Sequence, residues 1–221
     1  MALLGGILTA IITSILLPFY ESIFDITTNL KLLELSNMNH PLLKDLNFKA
    51  PGTYQHSIVV GNLAESGADK IGANSLLARV SSYYHDIGKG ENPHYFIENQ
   101  PAHSKNIHDD LDPYDSADII FKHLSDGKEK AEKHNLGRDI IGILMQHHGT
   151  GLVKIFYQKA VLQAQESVRD IDELDFRYPG PKPQSLEAAL VMMADISEAS
   201  TRSLDDPTPE SINEMVNKVG W

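Results

Sequence analysis

YYHDIGK, residues 83–89, sets a histidine beside an aspartate at the end of a helical pattern. Leu76, Leu77, Val80 and Tyr84 recur at i, i+3, i+4 spacing over residues 73–87, which predicts an amphipathic helix. Gly88 follows the pair and is expected to stop that helix. Adjacent helical residues point about 100° apart. His85 and Asp86 at a helix terminus can therefore address different sides of one site. His56 lies 29 residues before His85, and His123, the pair His147-His148 and Asp195 follow at wide intervals. Five imidazoles and two carboxylates are enough to hold two metal ions, and Asp86, with two oxygens, can bridge them. A helical protein that gathers them has the equipment to hydrolyse a phosphate ester.

Outward from this stretch, helical patterns dominate. Ile58, Val59, Leu63 and Ala64 mark a helix over 53–68, and Ile119, Ile120, Phe121 and Leu124 another over 114–134. Further helices are expected at 138–147, which ends near the second histidine pair, and at 151–170. Ser185 caps one reaching about Arg202, and Pro207 and Pro209 open a last one to Val219. Residues 91–113, with Pro93, Pro101 and Pro113, read as a long loop, a feature that often covers a site. RYPGPKP, 177–183, reads as a rigid turn in preference to a lining of the site pocket. Residues 21–50 read as a connector helix and turn. Nothing reads as paired strands, so the expected fold is an all-α helical bundle with an N-terminal connector helix.

Before the connector, LLGGILTAIITSILL, 3–17, is apolar and closed by Pro18. It is shorter than the roughly 20 residues that span a bilayer. No basic region precedes it, so a signal peptide is not expected. The stretch reads either as a buried or oligomer-forming helix or as the end of a transmembrane helix.

Composition narrows the chemistry. The 221 residues suit a single core plus an appendage. A net charge of -11 argues against a nucleic-acid polymer as partner, while a small anion bound through metals stays open. The chain has no cysteine, so thiolate sites are excluded and any metal must take nitrogen and oxygen ligands, which suits iron, manganese or zinc. A lone histidine or HD dipeptide says little; the ordered set carries the reading. His40, His94, His103, His108 and His134 fall in loops or polar stretches and read as structural or surface residues.

The order His56, His85-Asp86, His123, His147-His148, Asp195 resembles the two-metal, multi-histidine branch of the HD-domain phosphohydrolases. APGTYQHS (50–57), YYHDIGK (83–89), NPHYFIENQ (92–100), HHGT (147–150), RYPGPKP (177–183) and ADISEASTRS (194–203) resemble the intracellular domain of the seven-transmembrane HD receptors. That family includes bacterial cyclic di-AMP phosphodiesterases. The resemblance implies an HD phosphohydrolase domain at 51–221, a connector at 21–50, and the end of a membrane helix at 1–20. It places the full-length protein at the cytoplasmic face of the cell membrane and makes this chain an excised soluble domain, with a homodimer among the expectations. The family is expected to continue with further helices beyond Trp221.

The resemblance also implies roles. One metal, iron or manganese, would be held by His56, His85, Asp86 and Asp195, and a second by Asp86, His123, His147 and His148. Asp86 would bridge, and a water or hydroxide would attack one 3′-5′ phosphodiester of cyclic di-AMP to give pApA. Lys89 is assigned to the non-bridging phosphate oxygens. Tyr95, Phe96 and Asn99 would stack on or hydrogen-bond adenine, or else anchor their loop in the core. Arg202 shares a helical face with Asp195 and could reach phosphate, although an i, i+4 ion pair with Glu198 is the preferred reading. Base identity does not follow from metal ligands, so cyclic di-GMP, (p)ppGpp and a non-catalytic cyclic-dinucleotide sensor stay open as alternatives.

Overall fold

The computed structural model describes residues 2–24, 26–101, 104–165, 170–204 and 206–219, with side chains undescribed at 17–19, 21, 22, 24, 165 and 219. Ten α-helices occur among them: α1 (Ala2–Phe24), α2 (Asn29–Leu35), α3 (Pro41–Lys49), α4 (Pro51–Ile71), α5 (Ser75–Tyr84), α6 (Pro113–Lys133), α7 (Arg138–Gln146), α8 (Lys154–Gln165), α9 (Leu186–Arg202) and α10 (Pro209–Val219). No strand occurs among the described residues beyond an isolated bridge between Leu152 and Arg177. The all-α expectation holds.

The helix starts follow local chemistry. Thr28, Asn74, Asp112 and Ser185 each accept a backbone N–H from the first turn of the helix they precede, and His40 does the same through Nδ1. Pro41, Pro51 and Pro113 take the first helical position, where no N–H is needed. Pro113 therefore begins α6 rather than ending the loop. Gly72, at φ 72°, closes α4 in the left-handed region that favours glycine.

Three expected boundaries move. The N-terminal helix runs on past Pro18 to residue 24. A proline removes one i→i−4 hydrogen bond, which kinks a helix without necessarily ending it. Leu3, Leu4, Ile7, Leu8, Ile11, Ile12 and Ile15 of α1 are exposed, and among the described residues no helix is long and apolar enough to cross a membrane. Next, α5 stops at Tyr84, before the HD pair, and Ile87–Glu91 continue as a 3-10 turn. Gly88 is not the stop signal. It is where the chain touches α6, because a Cβ there would stand 1.9 Å from the His123 carbonyl oxygen. Finally, α8 begins at Lys154, three residues later than expected; 166–169, where its expected end falls, lie outside the described residues, as does His103.

Two apolar cores hold the bundle around the site. Leu32, Leu35, Leu43, Leu46, Tyr84, Ile87, Ile140 and Leu144 are buried together, joining α2, α3, α5 and α7. Each such aliphatic side chain contributes about 1.5–3 kcal/mol on burial. The Tyr84 hydroxyl is satisfied there by donating to the Leu35 carbonyl at 2.8 Å. In the second core, Val60, Ala64 and Ala68 of α4 meet Ala78, Ile143, Ala188, Val191 and Ala194. The alanines let α4 and α9 lie close. His56 is four residues before Val60 and Asp195 four after Val191, so the face that packs these helices also brings the two polar residues together. A smaller cluster, Ala117, Phe156, Ala160 and Phe176, fastens α8 and residues 173–176 to α6.

Candidate metal centre

The seven residues singled out in the sequence converge. His56 comes from α4, His85 caps α5, and Asp86 opens the 3-10 turn. His123 lies in α6, His147 caps α7, His148 follows it, and Asp195 lies in α9. Asp86 sits at the centre. Its Oδ1 is 3.5 Å from Nε2 of both His123 and His147. Its Oδ2 is 3.1 Å from His85 Nε2 and 3.8 Å from His56 Nε2. Asp195 Oδ1 is 3.0 Å from His56 Nε2, and its Oδ2 is 3.5 Å from His148 Nδ1. His56, His85, Asp86, His123, His147 and Asp195 are all buried.

The ring nitrogens show what the cluster is built for. Nδ1–H of His85, His123 and His147 donates to the carbonyls of Ser82, Ile120 and Leu144, at 2.7, 2.5 and 2.6 Å. That bond fixes the tautomer and leaves a lone pair on each Nε2. These three Nε2 atoms are buried and make no hydrogen bond, and each faces the Asp86 carboxylate. Lone pairs turned on an anion in a buried site are costly unless a cation lies among them. Asp86, His123, His147 and His148 each offer a ligand atom within 4.8 Å of the others; His56, His85 and Asp86 do so too, as do His85, His147 and Asp195. Neutral imidazole and carboxylate donors fit a divalent transition metal.

The electrostatics agree. Burial by itself raises the Asp86 carboxyl, but the His85 ring and the Lys89 ammonium outweigh it and hold Asp86 well below the usual range. Asp195 is depressed likewise, burial being overcome by the hydrogen bond from His56. Burial pushes His123 down to about 4, and it lowers His148 strongly, so both rings are neutral. His56 goes the other way. Burial works against its cation, yet hydrogen bonds to Asp195 and Glu198 raise it to about 9.

Around this centre, Lys89 Nζ lies 2.6 Å from Asp86 Oδ2 and 3.0 Å from Glu98 Oε1, and 5.1 Å over the Phe96 ring. Thr53 donates its hydroxyl to Glu98, and Asn99 spends both ends of its amide on Thr53. Phe96 is buried, so Phe96 and Asn99 anchor their loop. The Tyr95 carbonyl lies 3.0 Å from His108 Nε2. Arg202 pairs with Glu198 at 3.1 Å, as its i, i+4 spacing suggests.

Three contributors were given no individual role at the centre from the sequence. Glu198 meets His56 Nδ1 at 2.5 Å, and its place one turn after Asp195 was the available signal. Glu98 reaches Lys89 from the loop, and nothing local marks it. Tyr178, within the stretch read as a turn or as pocket lining, stacks on His148 with ring centroids 4.2 Å apart.

Comparison with known proteins agrees with this geometry. Residues 53–200 match the HD domain family. The chain is 46% identical over 219 residues to the cyclic-di-AMP phosphodiesterase PgpH of Bacillus subtilis, and 49% identical over 218 residues to PgpH of Listeria monocytogenes; each alignment covers 99% of this chain and 30% of the relative. The chain thus spans less than a third of the length of these curated relatives. The crystal structure of the L. monocytogenes PgpH HD domain in complex with cyclic-di-AMP superposes with a TM-score of 0.76 at 50% identity, over 83% of this chain and 84% of that one. With its candidate ligands assembled on five helices and the turn after α5, the chain belongs to the HD domain family.

Proposed function

We propose that this domain is a phosphodiesterase that opens one 3′-5′ phosphodiester of cyclic di-AMP to give pApA, using two divalent cations, iron or manganese. One observation carries the reading. Asp86 belongs both to the group with His56 and His85 and to the group with His123, His147 and His148. Asp195 would complete the first group. When bound, two such cations supply Lewis acidity and lower the pKa of water. The chain's own residues do the rest. Asp86 offers one oxygen to each group, and its depressed pKa keeps it ionised. Lys89 holds a positive charge where phosphate oxygens would arrive. Tyr178, stacked on His148, offers aromatic surface beside the centre for adenine, with Tyr95 of the loop a further candidate, while Arg202 acts through Glu198.

The choice of cyclic di-AMP is supported by the likeness to the Listeria domain solved with it. The exposed apolar face of α1 supports residues 1–20 as the end of a membrane helix, 21–50 as a connector and 51–221 as the catalytic domain at the cytoplasmic face. The test is turnover of cyclic di-AMP and cyclic di-GMP with added Mn²⁺ and with chelator. Release of pApA, abolished by chelator, is expected. No hydrolysis of either dinucleotide in metal-replete protein would sink the enzyme reading, and preference for cyclic di-GMP would reassign the substrate.

A further inference from the structure

The histidines of the cluster are oriented in two different ways. His85, His123 and His147 each hold Nδ1 on a carbonyl three residues earlier in their own chain segment. Those partners come with the helix and no side chain can remove them. His56 has no such bond. Its Nδ1 meets Glu198 Oε2 at 2.5 Å, a contact that joins α4 to α9 across 142 residues. Glu198 is itself mostly shielded, at 13% side-chain exposure, and Arg202 grips the same Oε2 at 3.1 Å.

We propose that Glu198 is a positioning residue for the metal centre: it holds the proton on His56 Nδ1 and so presents Nε2 to the cation group formed with His85, Asp86 and Asp195. This rests on the metal-binding reading above. A carboxylate partner does more than a carbonyl, because it makes the opposite nitrogen a stronger donor while fixing the ring. Glu198 also lies one helical turn from Asp195, so α9 delivers a ligand and the support for a second ligand on the same face. Among the described residues Glu198 is hydrogen-bonded or ion-paired with His56 and Arg202 and with none of Asp86, His123, His147 or His148, so the effect falls on one half of the centre. Arg202, on the outer side of Glu198, keeps that carboxylate in place.

The experiment is Mn²⁺ titration by calorimetry, with metal content after dialysis, on the chelator-stripped domain as wild type, Glu198→Ala, Glu198→Gln and Arg202→Ala. Circular dichroism checks the fold of each variant. Wild type is expected to take two ions. Glu198→Ala should weaken one of the two by about 10–100-fold and leave the other unchanged. Glu198→Gln should recover most of that loss, because its amide oxygen still accepts from Nδ1–H. Arg202→Ala should show a smaller loss at the same site. A Glu198→Ala isotherm matching wild type, an equal loss at both sites, or a Gln variant no better than Ala would overturn the proposal while leaving the metal reading intact. A wild-type domain that takes no ion would overturn both.

Discussion

Lys89 and Asp86 form a buried ion pair, 2.6 Å from Nζ to Oδ2, at the point where the two candidate ligand groups share a carboxylate. Lys89 also carries the charge of Glu98, so one ammonium offsets two buried carboxylates. Removing one partner of such a pair leaves uncompensated charge and costs about 3–5 kcal/mol. Lys89→Met should therefore lower the stability of the metal-free domain by that order, read from urea denaturation. Mn²⁺ should restore part of the loss, since a cation beside Asp86 replaces the missing charge. A metal-free variant that unfolds with wild type would remove Lys89 from this role.

Asp86→Ala should abolish metal binding at both groups together, with activity falling by at least about three orders of magnitude. His123→Ala, by contrast, should mainly affect the group with His147 and His148. Metal content of the purified variants decides it, and two ions retained in Asp86→Ala would refute the bridging role.

The metal-free domain should be most stable near pH 6.5, because His123 and His148, held neutral below their ordinary value, cost stability as pH falls under 6.5. Asp86 and Asp195 have folded pKa values below their unfolded ones, so their contribution is present above about pH 4 and lost as pH falls. His56 is raised to about 9 from an unfolded value of 6.5. Its contribution, on the order of 3 kcal/mol, is complete below pH 6.5 and lost as pH rises to 9. The melting temperature of stripped protein should thus decline between pH 6.5 and 9, and His56→Gln should flatten that decline. Loading metal near pH 7.5 should expel about one proton from His56, measurable by calorimetry in buffers of different ionisation enthalpy.

Gly88→Ala is expected to be severe although the change is one methyl. The new Cβ would meet the His123 carbonyl oxygen at 1.9 Å and the Gly127 nitrogen at 2.6 Å, and both are backbone atoms that cannot rotate away. The 3-10 turn must then separate from α6, costing about 3 kcal/mol or more. His123 moves with α6, so metal affinity should fall along with the melting temperature. A variant that keeps both would show that the turn can shift without disturbing the site.

Much of the molecule was legible because it is written locally. Helix periodicity, the cap Ser185 and the first-turn proline Pro209 act within a few residues, so the helices follow from short stretches of chain. Gly88 misled because glycine serves two purposes, ending helices and admitting a neighbouring backbone, and only the position of α6 tells them apart.

By itself, the sequence determined which residues could ligate a metal and that helices would carry them, since donor chemistry and 3.6-residue spacing are properties of the chain alone. The tertiary structure decided how the set works. The approach of α4 to α9 over small side chains turned Glu198 from an ordinary partner of Arg202 into the support of His56. The touch of the Gly88 turn on α6 set Asp86 equally near His123 and His147. Ligand geometry and hydrogen-bond partners form across dozens of residues, and no local pattern records which side chains will meet once the core is packed.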